Sequence, residues 1–299
     1  MSEIQLKQER SLLASVFLSP EESRLRAGWR LLPQLILYIL LSIVFFDISS
    51  ALGHESSVSS ILDRIMDFFA ITCSVYLVRR WMDKRSFESL GVKISRQSLI
   101  DIFAGIGITF LMMATIFSVM LGLNWLTFNG FAWQFDPIST VLSSVCTFFI
   151  IFLLVGWNEE LFSRGYQLQT IASGLNLFWG AVLSAAVFGV IHLRNPHATW
   201  VSTAGIFFAG IFFAYAYIRT RQLWLPIGLH IGWNFFEGVV FGFPVSGLGI
   251  YPLTRIQVMG PELWTGGPFG PEAGLIILPA MMLGGLLIYW FTRNRISGR

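Results

Sequence analysis

The sequence predicts an all-α, polytopic integral membrane bundle of about eight transmembrane helices, and three observations carry that prediction. Of 299 residues, 55% are hydrophobic and 12% charged, about half the charge of an ordinary soluble domain. The apolar residues gather in runs near 31–52, 61–78, 99–123, 138–160, 176–193, 200–218, 223–243 and 273–291. Most are about 18 to 25 residues long, enough to cross a hydrocarbon core of roughly 30 Å as helix. Helix is also the form that leaves no backbone group unsatisfied in lipid. Finally, Lys and Arg concentrate between alternate runs, the charge asymmetry of a multi-spanning protein.

The elements follow in order. Residues 1–30 read as a cytoplasmic amphipathic segment carrying Lys7, Arg10, Arg24, Arg26 and Arg30. The first apolar run follows this polar stretch, exceeds a signal-peptide core and lacks a convincing small-residue cleavage site, so it is predicted to be a retained span. Residues 31–137 supply the N-terminal transmembrane helices. Their last loop, 124–137, has no Lys or Arg, and its Trp125 and Trp133 suit an interfacial belt. Residues 138–243 form the predicted core. Residues 244–299 are a long outer loop and the last transmembrane helix. Pro244, Pro252, Pro261, Pro268 and Pro271 mark that loop as irregular, partly re-entrant and long enough to act as a lid.

With a cytoplasmic N-terminus, the inner segments hold seventeen of the twenty Lys and Arg residues, Arg164 among them. The outer loops keep Arg194 and Arg255, with Arg64 at the edge of the second span. Both termini are therefore expected in the cytoplasm. The net charge of +3 forms no basic face, which speaks against nucleic acid; the lipid bilayer is the expected environment. Cys73 and Cys146 lie inside apolar runs, and neither a disulfide framework nor a Cys/His cluster is predicted.

Ionisable and amide side chains interrupt the apolar runs in an ordered way. Glu159-Glu160-x-x-x-Arg164 closes the fourth, Phe188-x-x-x-His192 closes the fifth, and His230-x-x-x-Asn234 lies in the seventh. Such residues in a bilayer are costly and usually mark a site or a pathway. Adjacent glutamates point about 100° apart, so they cannot share one partner. Glu160 and Arg164 are i,i+4 and can pair, which leaves Glu159 to face a cavity as a general base. His230 and Asn234 project together, and Pro226 can open their helix at its first position. Counting at roughly 1.5 Å per residue puts Glu159, His192 and His230 about 16, 24 and 14 Å from the cytoplasmic face. That count assumes the fourth helix runs on past Arg164. Each motif alone also has a bland reading: a helix end in headgroup water, an interfacial histidine, interhelical glue.

The ordered set, with its flanking Glu160-Leu-Phe-Ser-Arg164-Gly165-Tyr166 and Leu225-Pro-Ile-Gly-Leu-His230-Ile-Gly-Trp-Asn234, resembles the CPBP family of intramembrane proteases, the CAAX-processing and bacteriocin-processing membrane proteins also called the Abi family. The resemblance covers about 140–245; Ser163 departs from a usually bulky apolar position. It implies hydrolysis of a peptide bond in a membrane-associated peptide or protein substrate. Glu159 and His192 would activate water, His230 and Asn234 would hold the oxyanion, and Glu160 with Arg164 would support them. Glu159, His192 and His230 could also bind Zn²⁺, although no HExxH motif occurs, and the sequence leaves metal dependence open. Three other classes use the same residues: a transporter with a Glu/His proton relay, a non-catalytic membrane scaffold of the same family, and a haem protein with two axial histidines. The last leaves the glutamate pair unexplained.

The charge asymmetry makes topology testable. Reporter fusions at either terminus are expected to be active only in the cytoplasmic format; a C-terminal fusion active outside the cytoplasm overturns the orientation.

Overall fold

The computed structural model describes residues 16–19, 24–51 and 57–296. Most of the predicted amphipathic segment 1–30, including Lys7 and Arg10, lies outside these residues, as does Arg299. Eight long helices appear: α1 (Ala27–Ala51), α2 (Ser57–Trp81), α3 (Arg96–Gly122), α4 (Ile138–Gly174), α5 (Leu177–Ile191), α6 (Trp200–Thr220), α7 (Trp224–Asn234, extended by a π-helical turn, Phe235–Val240) and α8 (Ile277–Ile296). They coincide with the eight predicted runs, in a multi-pass membrane protein. Among the described residues, α1, α3, α4, α5 with its following turn, and α6 are long and apolar enough to cross a membrane. The other three differ for visible reasons. The helix α2 carries Asp63, Arg64 and Asp67, α8 ends in Arg293 and Arg295, and Trp224–Asn234 is only 11 residues long before its π turn.

Local chemistry fixes several helix starts. Ser95 caps α3 and Thr199 caps α6, each in a reciprocal pair with the serine three residues on. Asn176 accepts from the Trp179 amide at 3.0 Å to start α5. The helix α7 begins at Trp224, so Pro226 sits third in it rather than first; its missing N–H still falls among the unpaired first-turn donors.

Two features beyond the apolar runs shape the core. The fourth helix runs on past Arg164, as the depth count assumed, to Gly174, with Leu161–Leu168 as a π-helical stretch. Seven of those eight residues are buried, so the wider turn is filled by tertiary packing, and π-bulges of this kind recur at functional sites. Arg164, counted with the inner loop charges, is 1% exposed and ion-paired inside the bundle. It is an interior charge, and removing it from the tally does not reverse the asymmetry.

The outer segment is also more ordered than an irregular loop. β2 (Thr254–Val258) pairs antiparallel with β1 (Leu126–Phe131), joining the 124–137 and 244–276 connections into one cap. Gly130, at φ +125°, sits where the ladder shifts register, a conformation open to glycine and strained for other residues. The carboxylate of Asp136 accepts from Tyr251 Oη at 2.7 Å and pairs with Arg255. The Tyr251 hydrogen bond, then the Arg255 guanidinium, hold the Asp136 carboxyl below its ordinary range despite some desolvation. Trp133 is exposed and stacked on Phe131 at 4.4 Å, as a belt residue can be. Trp125 instead packs on Trp264 within the cap, with ring centroids 6.1 Å apart.

The helix that carries His230 is seated by small residues. Cβ atoms at Gly105 and Gly228 would come within 2.4 Å and 2.3 Å of the facing backbone, at Leu229 N and Ile102 O, and one at Gly232 within 2.2 Å of Thr109 Oγ1. Small-residue faces are how membrane helices approach closely. Outward, α1 presents Leu35, Ile39, Ile43, Val44 and Phe46 to its surroundings, the apolar jacket that lipid requires.

Gly228→Ala is expected to push α7 off α3 and cost about 1–3 kcal/mol of stability, seen as a lower Tm in detergent. Gly107→Ala, on the same helix as Gly105 but with open space around its Cβ position, should leave Tm unchanged or slightly raised. Equal shifts would remove close approach as the cause.

Candidate active site

The three motifs meet at one wall of a cavity of about 920 Å³ lined by α1, α2, α4, α5, α6, α7 and the cap. Glu160 lies deepest, with 0% exposure. Its Oε1 accepts from Arg164 Nη1 at 2.9 Å and from His230 Nδ1 at 2.8 Å. The other guanidinium nitrogen donates to the Gly210 carbonyl at 3.0 Å. Aromatic faces complete the enclosure: Arg164 lies 4.4 Å from the Phe188 centroid and 5.1 Å from that of Phe213. The His230 ring stacks parallel on Phe213 at 5.0 Å. Hence Phe188, a marker position in the sequence, is a lid over the buried guanidinium.

Glu159 points the other way. Its side chain is 33% exposed and lines the cavity, and its Oε2 lies 3.6 Å from His230 Nε2 and 3.8 Å from His192 Nε2. Both separations exceed a direct hydrogen bond and suit a bridging molecule. The two imidazoles are held by their other nitrogens. His192 Nδ1 lies 2.7 Å from the Phe188 carbonyl oxygen, which can only accept, so Nδ1 carries the proton and a neutral His192 offers Nε2 as an acceptor. His230 Nδ1 likewise donates to Glu160, leaving Nε2 directed at Glu159. Asn234, one turn beyond His230, is 7% exposed, lines the cavity and makes no hydrogen bond among the described residues.

The structure thus brings together the groups that the count along the helices placed at about 14 to 24 Å, with Glu159 Oε2 within 3.8 Å of both imidazoles.

The sequence reading also missed residues the structure brings in. Glu272 of the cap is 4% exposed and lines the cavity. Its Oε1 accepts from Trp233 Nε1 at 3.0 Å and its Oε2 from Ser246 Oγ at 2.5 Å. Burial raises its pKa, partly offset by the Ser246 hydrogen bond. Glu237, fully buried one turn after Asn234, is a second omission. An acidic residue within an apolar run was the available signal for it; Glu272, at the edge of a run, gave a weaker one.

Among the described residues no group of three His, Cys, Asp or Glu side chains is placed to hold a metal ion.

Residues 141–236 match the family model described as Rce1-like, type II CAAX prenyl endopeptidase Rce1-like. This segment, about a third of the chain, is therefore similar to the CAAX-type membrane endopeptidases. The Bacillus subtilis (strain 168) protein named "Putative membrane peptidase YdiL" is 26% identical over 125 residues, 42% of this chain and 49% of that protein. The match thus spans about half the length of that relative. The matched stretch begins at the fourth residue of α4 and ends in the π turn of α7, so it holds every motif residue but not the cap.

Breaking the buried pair should be costly. Glu160→Gln strands Arg164 and is expected to lower stability by about 3–5 kcal/mol, measured by thermal unfolding in detergent. Glu159→Gln, at the cavity surface, should change it by less than about 1 kcal/mol. Equal destabilisation would refute the division between the two carboxylates.

Proposed function

We propose that the chain is an intramembrane endopeptidase that hydrolyses a peptide bond of a membrane-associated polypeptide, with CAAX-type prenylated proteins as the substrate class. The substrate class rests on the description of the matched family. The observation that carries the reaction is the cavity-facing Glu159 carboxylate, set 3.6 and 3.8 Å from two imidazole nitrogens whose partners fix their orientation.

In this reading a water sits between Glu159 Oε2 and His192 Nε2, both acceptors. Together they withdraw a proton as the water oxygen attacks the scissile carbonyl. The carbonyl oxygen becomes an oxyanion. Asn234 Nδ2 donates to it, and so does His230 Nε2 when that ring is an imidazolium, with Nδ1–H held by Glu160. Donors aimed at charge that develops only in the transition state, in a site with little water, supply the largest part of such catalysis. The proton taken from water then passes to the leaving amine, which restores Glu159 and His192. Arg164 contributes by pairing with Glu160 and keeping it oriented. No step of this reading uses a metal.

Purified protein in bilayers, given a prenylated CAAX-type peptide, tests the proposal. Glu159→Gln is expected to abolish cleavage while Tm stays near wild type. Asn234→Ala should reduce kcat roughly 100- to 1,000-fold, as loss of one oxyanion donor does, with little change in KM. Full turnover by Asn234→Ala removes it from the oxyanion site. Activity abolished by a chelator and restored by Zn²⁺ overturns the metal-free mechanism.

A further inference from the structure

The cap is fastened to the site through one buried carboxylate. Glu272 accepts from Trp233, the residue before Asn234 on α7, and from Ser246 in the cap's first turn. The backbone oxygen of Ser246 in turn accepts from Asn195 Nδ2 at 3.0 Å, three residues after His192. Close backbone packing locks the same segments. A Cβ at Gly205 of α6 would fall 1.8 Å from the Glu272 carbonyl oxygen, and one at Gly247 (φ +81°) would fall 1.9 Å from the Pro196 carbonyl oxygen. The Gly247 amide also donates to the Phe269 carbonyl at 2.8 Å. Three loops, 192–197, 245–248 and 269–273, are therefore interlocked around the Glu272 side chain.

A carboxylate buried without a cation is costly, and a neutral packing residue would join the cap to the bundle more cheaply. What the carboxylate adds is two acceptor oxygens that reach two elements at once. One oxygen fixes the indole next to Asn234. The other holds the Ser246 turn, on which the Asn195 side chain rests, and so constrains the turn that follows His192.

We propose that Glu272 is a positioning residue that orients His192 and Asn234 for peptide hydrolysis, a role that rests on the reading given under Proposed function. The cap is then part of the reaction site rather than a detachable cover. Residues behind a reacting group that fix its orientation commonly carry effects of about 10- to 100-fold.

Three variants, Glu272→Ala, Glu272→Gln and Ser246→Ala, test it in bilayers, by kinetics on the prenylated peptide and by amide hydrogen exchange of peptides spanning 192–197 and 245–248. Glu272→Ala is expected to lower kcat about 10- to 100-fold with KM within about threefold, and to speed exchange in both peptides. Glu272→Gln can still accept from Trp233 and meet Ser246, and should recover most of the rate and protection. Ser246→Ala should loosen 192–197 while leaving Trp233 held, with an intermediate kcat. Wild-type kcat and exchange in Glu272→Ala overturn the proposal. So does a loss of kcat with exchange unchanged, or a loss confined to KM. If Glu272→Ala does not fold, the other two variants decide: unchanged exchange in both overturns the proposal. If the wild-type protein cleaves nothing, the peptidase reading fails by itself, and exchange alone still shows whether Glu272 holds the His192 turn.

Discussion

One carboxylate oxygen organises this molecule. Glu160 Oε1 accepts from a guanidinium and an imidazole at once, in a site sealed from water. Taking these groups out of solvent is expensive, and the cost is offset only while every partner is in place. The requirement reaches four helices. Arg164 needs the Gly210 carbonyl of α6 and the Phe188 face of α5, and His230 needs both its carboxylate on α4 and the Phe213 face of α6. A shift of any one helix would leave a buried charge unpaired. The helix carrying His230 also sits tightly on α3, where glycines permit the approach.

The π-helical stretch after Glu160 belongs to the same constraint. It holds Leu161, Tyr166 and Leu168 in the interior, and Tyr166 Oη donates to the Arg30 carbonyl oxygen of α1. Arg30 in turn pairs with Asp83, which also receives Arg79 of α2 at 3.0 Å. The ionic knot at the site and the one below it are thus joined through a single helix. Rigid support of this kind lets Glu159, one residue from the knot, face the cavity at a fixed distance from two imidazoles.

Much of this was legible in the primary structure. Eight apolar runs correspond to eight helices, and i,i+4 spacing correctly paired Glu160 with Arg164, because both follow from the period of a helix. The outer segment was not legible. Its strand of five residues is too short to show alternation, and its partner strand lies more than a hundred residues earlier. Glu272 escaped for the same reason: nothing near it in the chain announces Trp233 or Ser246.

By itself, then, the sequence determined the solvent, the helices and the motifs: hydropathy and charge set where the chain can lie, and three short motifs are local patterns readable without coordinates. The tertiary structure decided what each group can do. The Phe188 carbonyl set the protonated nitrogen of His192, the stacked Phe213 ring oriented His230, and the folded cap brought Glu272 to the cavity. Helical periodicity states which residues share a face; it does not state what that face meets. Proton positions and buried charges depend on partners supplied by distant parts of the chain, and these exist only once the helices are packed.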